Sequence, residues 1–194
     1  MSETRSVYVI GGAGAGKSTF MERLIGDRMI LMGPLEDLHS APNSRGTIIT
    51  LRGHRFPDDG VYLGLMRDNF PGTDGLDRVS SVAGVPWLRL GMAPAWVIGE
   101  GATLANRPFL TALSEETDLL LIHLRCDDAV KVARFQERGS SQDPKFVAAT
   151  VTKSANLLNE MTKAGVKTID ADTNDYRDWD FALDAAAGHL WGPR

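Results

Sequence analysis

The stretch Gly11-Gly12-Ala13-Gly14-Ala15-Gly16-Lys17-Ser18-Thr19 constrains this chain more than any other. It fits the pattern G-x-x-x-x-G-K-[ST]. Its glycines open backbone conformations closed to residues with a Cβ. With only small residues between them, consecutive N–H groups can curl into a nest for an anion. A helix that starts at once points its positive end at the same anion. Lys17 adds a full charge there, and the Ser18 hydroxyl is placed to reach Mg²⁺. Residues 12–19 therefore read as a loop for nucleotide phosphates. The flanks agree: residues 6–10 (SVYVI) read as a buried strand, and residues 18–25 (STFMERLI) carry helical apolar spacing.

A chain of 194 residues suits one α/β domain with a decorating insertion. Its 43% hydrophobic share supports a core, and its net charge of −4 gives no global attraction to nucleic acid. One cysteine, Cys126, excludes an internal disulfide and fits a reducing compartment. No apolar run approaches the ~20 residues that cross a membrane. The N-terminus lacks a signal-peptide pattern. A cytoplasmic setting is expected, in a bacterium or a phage-infected host cell.

Beyond the first helix, residues 28–46 are rich in turn formers and read as a loop with one short helix. Residues 47–51 and 61–65 read as strands of a hairpin. The turn between them is FPDDG, where Pro57 presets φ and Gly60 tolerates a positive one. This block interrupts the α/β alternation, so residues 29–92 are expected to form an acceptor-side insertion.

Residues 67–78 (RDNFPGTDGLDR) are too polar for core. One reading is a surface loop whose Asp74 or Asp77 caps a short helix over residues 79–90, ended by Gly84, Val85 and Pro86. The other is a substrate loop: Arg67 and Arg78 grip a phosphate, Thr73 lies beside them, and Asp74 accepts a hydroxyl proton or helps hold metal.

Residues 95–99 form a short apolar strand ending at Glu100. Ligands of doubly wound sheets bind beyond the carboxyl ends of strands. Glu100 is thus a candidate for holding Mg²⁺ through water or for binding the acceptor; its bland role is to cap a helix over residues 102–113. Residues 118–125 (DLLLIHLR) are the most apolar strand, and His123 reads as a core or edge residue. A helix over residues 127–138 has Val130, Ala133 and Phe135 on its apolar face. Arg134 and Arg138 lie four apart and share a face, either solvated or aimed at nucleotide phosphates. Residues 138–146 make a short lid. A long helix over 145–164, a strand over 166–170, a turn over 171–174 and a helix over 176–190 close the chain.

This order resembles the nucleoside monophosphate kinase group of P-loop kinases. Four segments carry the likeness: residues 7–19, 96–101 (WVIGEG), 121–139 (LIHLRCDDAVKVARFQERG) and 166–173 (VKTIDADT). The resemblance implies a three-layer α/β sandwich on a mostly parallel sheet, with the hairpin on the acceptor side. It implies an ATP- and Mg²⁺-dependent phosphotransferase acting on a nucleotide-type acceptor. Lys17, Arg134 and Arg138 would serve the transferring phosphate, with Arg134 beside the adenine. Backbone near residues 171–173, with Thr173, would border the base. The group usually carries Asp where this chain has Glu100.

Residues 29–92 match none of the adenylate, guanylate or thymidylate kinases. The hairpin followed by FPGTDGLDR looks more like phage-encoded kinases, some of which phosphorylate 5-hydroxymethyluracil in DNA. That reading needs a basic groove from Arg45, Arg52, His54, Arg55, Arg67 and Arg78, with Phe56 or Phe70 stacking on an extruded base. A GTPase needs N/T-K-x-D, and the nearest string, residues 152–155 (TKSA), lacks the acidic residue. A non-catalytic nucleotide-binding module is the remaining alternative.

Overall fold

The computed structural model describes residues 4–66, 72–137, 139 and 142–192. Arg67, Phe70 and Arg138, three residues given roles above, lie outside them. The first strand, β1 (Arg5–Gly11), runs into the glycine loop, and α1 (Lys17–Ile25) follows. A 3₁₀ turn (Gly26–Leu31) leads to β2 (Leu35–Pro42), β3 (Ile48–Phe56) and β4 (Gly60–Leu63). Then come α2 (Ser81–Arg89), β5 (Trp96–Glu100), α3 (Arg107–Glu116) and β6 (Asp118–Arg125). The chain closes with α4 (Asp128–Glu137), α5 (Pro144–Lys163), β7 (Lys167–Asp172) and α6 (Tyr176–Trp191).

All seven strands join one sheet in the order β2-β3-β4-β5-β1-β6-β7. The five from β4 to β7 pair in parallel, and β2, β3 and β4 pair antiparallel. Central strands alternate their apolar side chains between two faces. From β1, Tyr8 and Ile10 join α2, α3 and α5 in one core, with Trp87, Phe109 and Leu157. Val7 and Val9 join α1 and α6 in the other, with Phe20, Met21 and Trp179. Each fully buried Leu or Phe on these faces is worth roughly 1.5–3 kcal/mol. This is the three-layer α/β arrangement expected of a P-loop fold. No helix among the described residues is long and apolar enough to cross a membrane.

Several expected elements change. Residues 28–46 are not mainly loop, since they contain β2, an edge strand on which only Leu38 is buried. The expected hairpin exists, but β4 also pairs in parallel with β5 and so belongs to the main sheet. Helix α2 runs through Gly84 and Pro86. Helix α3 starts at Arg107, where the Asn106 side chain accepts the Phe109 amide, so Glu100 does not cap it. On α4, Ala133 faces solvent while Lys131 is buried. His123 is buried on a strand inside the sheet, its Nδ1 2.8 Å from Asp170 Oδ1 and its Nε2 3.2 Å from Ser154 Oγ.

The β3–β4 turn has a different logic from the expected one. The positive φ, 58°, belongs to Asp59. Gly60 is needed because a Cβ there would come 1.9–2.4 Å from three Trp96 ring atoms. That ring is wedged between Phe56 and Trp191, at 4.8 and 5.7 Å between centroids. Gly60→Ala is expected to cost about 1–3 kcal/mol by overpacking. Urea unfolding measures it, and an unchanged midpoint would show that the ring yields freely.

Candidate active site

The carboxyl ends of β1, β5, β6 and β7 converge on one edge of the sheet. The glycine loop lies there. Gly14 and Gly16 have φ of 80° and 89°. Such left-handed residues turn successive amides to the same side and form the anion nest. The nest leads directly into the N-terminus of α1, where the Gly16 carbonyl accepts the Phe20 amide. Lys17 folds back over the loop, its Nζ 3.2 Å from the carbonyl oxygens of both Gly11 and Gly12. Its charge therefore stands at the lip of the nest.

Ser18 Oγ donates to Glu100 Oε1 at 3.0 Å. The two residues are 82 apart in sequence and meet because β5 pairs with β1. Glu100 is 1% exposed, so its carboxylate faces Ser18 from the protein side. These two groups offer only oxygen, the donor type that Mg²⁺ takes. The pair thus fits Mg²⁺ carried by a nucleotide.

On the nucleotide side, Arg134 of α4 reaches across to the loop. Its Nη1 donates to Gly14 O at 2.9 Å and to Thr173 Oγ1 at 3.3 Å. Arg134, Gly14 and Thr173 are thereby brought together. Cys126 lies alongside, its Sγ 3.7 Å from Gly14 O, and burial pushes its thiol above the usual range. Lys131 sits beneath the loop at Gly14 and pairs with Asp128 at 2.8 Å. No motif in the sequence marks Lys131. Its position three residues before Arg134 places both on one face.

On the acceptor side, an antiparallel bridge between Leu65 and Gly72 precedes a 3₁₀ turn, Thr73–Gly75. Thr73 is completely buried. Its hydroxyl lies 3.0 Å from Tyr8 Oη, which also donates to Gly101 O at 3.1 Å. Burial, with Asp74 and Glu100 nearby, pushes the Tyr8 phenol well above its usual range, so it remains a neutral donor. The Asp74 side chain is exposed, and its Oδ1 accepts the amides of Ala102 at 2.5 Å and Thr103 at 3.3 Å. Asp77, not Asp74, meets the chain entering α2, through the Val79 amide at 3.1 Å. Arg78 is exposed. Thr19, last of the loop residues, is exposed on the first turn of α1.

Three of the six cations named for a basic groove have partners of their own, while Arg45 is exposed. Arg52 pairs with Asp37 at 2.8 Å, Arg55 pairs with Glu36 at 3.3 Å, and His54 is buried against Gly33 O. Phe56 is core, 5% exposed against Trp96.

No curated protein matches the chain. Among solved structures it is similar to an unliganded sugar kinase from Janibacter sp. HTCC2649, with 16% identity and a TM-score of 0.48. That likeness covers 97% of this chain and 96% of the other, and at such distance it says nothing of the acceptor. A family model described as P-loop Nucleotide Kinase3 matches residues 2–176. The match runs from β1 through β7, and with it the nest, Lys17 and the Ser18–Glu100 pair find their setting: the chain belongs to the P-loop nucleotide kinase family and is a kinase.

Proposed function

We propose that this kinase moves the γ-phosphate of ATP, with Mg²⁺, to a nucleotide-type acceptor, a free nucleotide in the first place. The observation that carries the reading is the Ser18–Glu100 contact beside Lys17 at the mouth of the nest. Phosphoryl transfer asks for positioning and charge neutralisation more than for covalent help. The loop amides and Lys17 hold and neutralise the β- and γ-phosphates. Arg134, with Arg138, neutralises the phosphates from the lid side, and Thr173 borders the base. Mg²⁺, when bound at Ser18 and Glu100, supplies further charge neutralisation. Asp74, Thr73, Arg78, Arg67 and Glu100 would serve the acceptor. An acceptor phosphate is already an anionic nucleophile and needs no base.

The hydroxymethyl group of 5-hydroxymethyluracil in DNA is the second reading. The exposed carboxylate of Asp74 favours it, because a hydroxyl acceptor gains from a base within hydrogen-bond reach. Against it, Arg52 and Arg55 are already paired with the carboxylates of Asp37 and Glu36 on β2, and Phe56 is buried.

The test follows labelled γ-phosphate from ATP/Mg²⁺ to two acceptor sets in parallel. One is the common ribo- and deoxynucleoside monophosphates; the other is duplex DNA with and without 5-hydroxymethyluracil. Label on a monophosphate is the expected result. Label only on modified DNA would replace the first reading by the second. No label on either, with ATP bound, would overturn a nucleotide-type acceptor.

A further inference from the structure

Helix α5 touches both halves of the site. Near its middle, Thr150 Oγ1 accepts the Ala13 amide at 3.1 Å. The next residue, Val151, packs on Gly12 so closely that a Cβ there would lie 2.5 Å from Val151 Cγ2. One turn later Lys153 leaves the same helix and donates from Nζ to Ala102 O at 3.1 Å. Ala102 belongs to the loop after Glu100 on which Asp74 rests.

The chemistry of that contact is specific. The carbonyl of Ala102 and the amide of Thr103 are the two ends of one peptide group. Lys153 binds the carbonyl end, and Asp74 Oδ1 binds the amide end at 3.3 Å. An ammonium and a carboxylate thus face each other through one peptide. Each polarises the peptide in the sense that strengthens the other's hydrogen bond. Lys153 is exposed, so water competes for its ammonium. The contact holds a partner that is itself held by an anion.

We infer that Lys153 is a positioning residue for the acceptor side. Through the Ala102–Thr103 peptide it fixes the carboxylate of Asp74. Through α5 and Thr150 it ties that carboxylate to the state of the glycine loop. ATP in the nest then firms the loop under Thr150, and the acceptor side firms with it. The inference rests on the reading of Asp74 as an acceptor-side group.

The experiment compares wild type, Lys153→Met and Lys153→Arg by amide hydrogen exchange over residues 101–104, with and without ATP/Mg²⁺. In wild type, ATP/Mg²⁺ is expected to slow exchange at Ala102 and Thr103. In Lys153→Met these amides exchange about tenfold faster, as loss of a charge-assisted hydrogen bond implies, and no longer respond to ATP. ATP affinity stays within about twofold, a factor far below one lost hydrogen bond. Lys153→Arg restores the response. Asp74→Asn gives the same exchange change, and the double variant adds nothing to it, as coupled neighbours require. Wild-type exchange and response in Lys153→Met would overturn the inference. So would a large loss of ATP affinity, which would make Lys153 a nucleotide ligand. None of these readouts needs the acceptor, so absence of transfer to any acceptor would strike the functional reading and leave this result standing. Once an acceptor is in hand, Lys153→Met is expected to raise its KM and leave the KM for ATP unchanged.

Discussion

Replacing Lys17 by Ala is expected to slow phosphoryl transfer by about 10²- to 10³-fold, the cost of removing one preorganised donor from a site of developing charge. The Lys17 ammonium is held by two carbonyl oxygens of its own loop, Gly11 O and Gly12 O, each at 3.2 Å. Those contacts keep the ammonium beside the loop that would hold the phosphates. Its loss leaves the nest amides intact, because those depend on the backbone at Gly14 and Gly16. ATP binding should weaken less than transfer. Single-turnover transfer of labelled phosphate, beside a binding titration with ATP, separates the two effects. Transfer within tenfold of wild type would show that Lys17 neutralises no charge on the group in flight.

The second large effect is expected at Glu100. Glu100→Gln keeps the shape and an oxygen for the Ser18 hydroxyl but removes the negative charge. The Mg²⁺ concentration for half-maximal transfer should rise about 10- to 100-fold, as it does when partners of metal-bound groups are changed. ATP binding without Mg²⁺ should hardly move, since Gln keeps an oxygen for the Ser18 hydroxyl that Glu100 holds. A Mg²⁺ titration of transfer rate, run on both proteins, reads the shift directly. If the curve keeps its midpoint and only its plateau falls, Glu100 serves the acceptor and not the cation. The two variants therefore probe different charges: one on the transferring group, the other on its metal.

The element boundaries show what local sequence carries. Strand β6 occupies residues 118–125 as its apolar run predicts, and α1, α5 and α6 fall within one or two residues of their periodic patterns. These segments are long or strongly apolar, so local preference and tertiary packing agree. Strand β2 (LEDLHSAP) is the opposite case. It is polar, lies among turn formers, and exists because it pairs with β3 over seven residue pairs. Helix α4 shows a third pattern. Periodicity placed Ala133 inward, but the helix sits over the glycine loop, where the groups wanted inward are Lys131 and Arg134. A helix packed over the glycine loop turns charge, not only hydrocarbon, toward the protein.

The glycine loop was legible because its function is local. Nine consecutive residues determine the backbone path, the nest and the lysine, and no distant contact is needed to recognise them. The rest of the site is built from pairs far apart in sequence. Ser18 meets Glu100, Ala13 meets Thr150, Gly14 meets Arg134, and Asp74 meets Ala102. Strand order brings the strand ends to one edge, since β1 lies between β5 and β6 and the parallel strands end on the same side, and helices α4 and α5 carry Arg134 and Thr150 to that edge. A linear chain records which groups are available. Which of them share a hydrogen bond is decided by the packed fold, because Ser18, Arg134 and Thr150 stand on helices that only the layering of helices over the sheet brings against remote strand ends and loops.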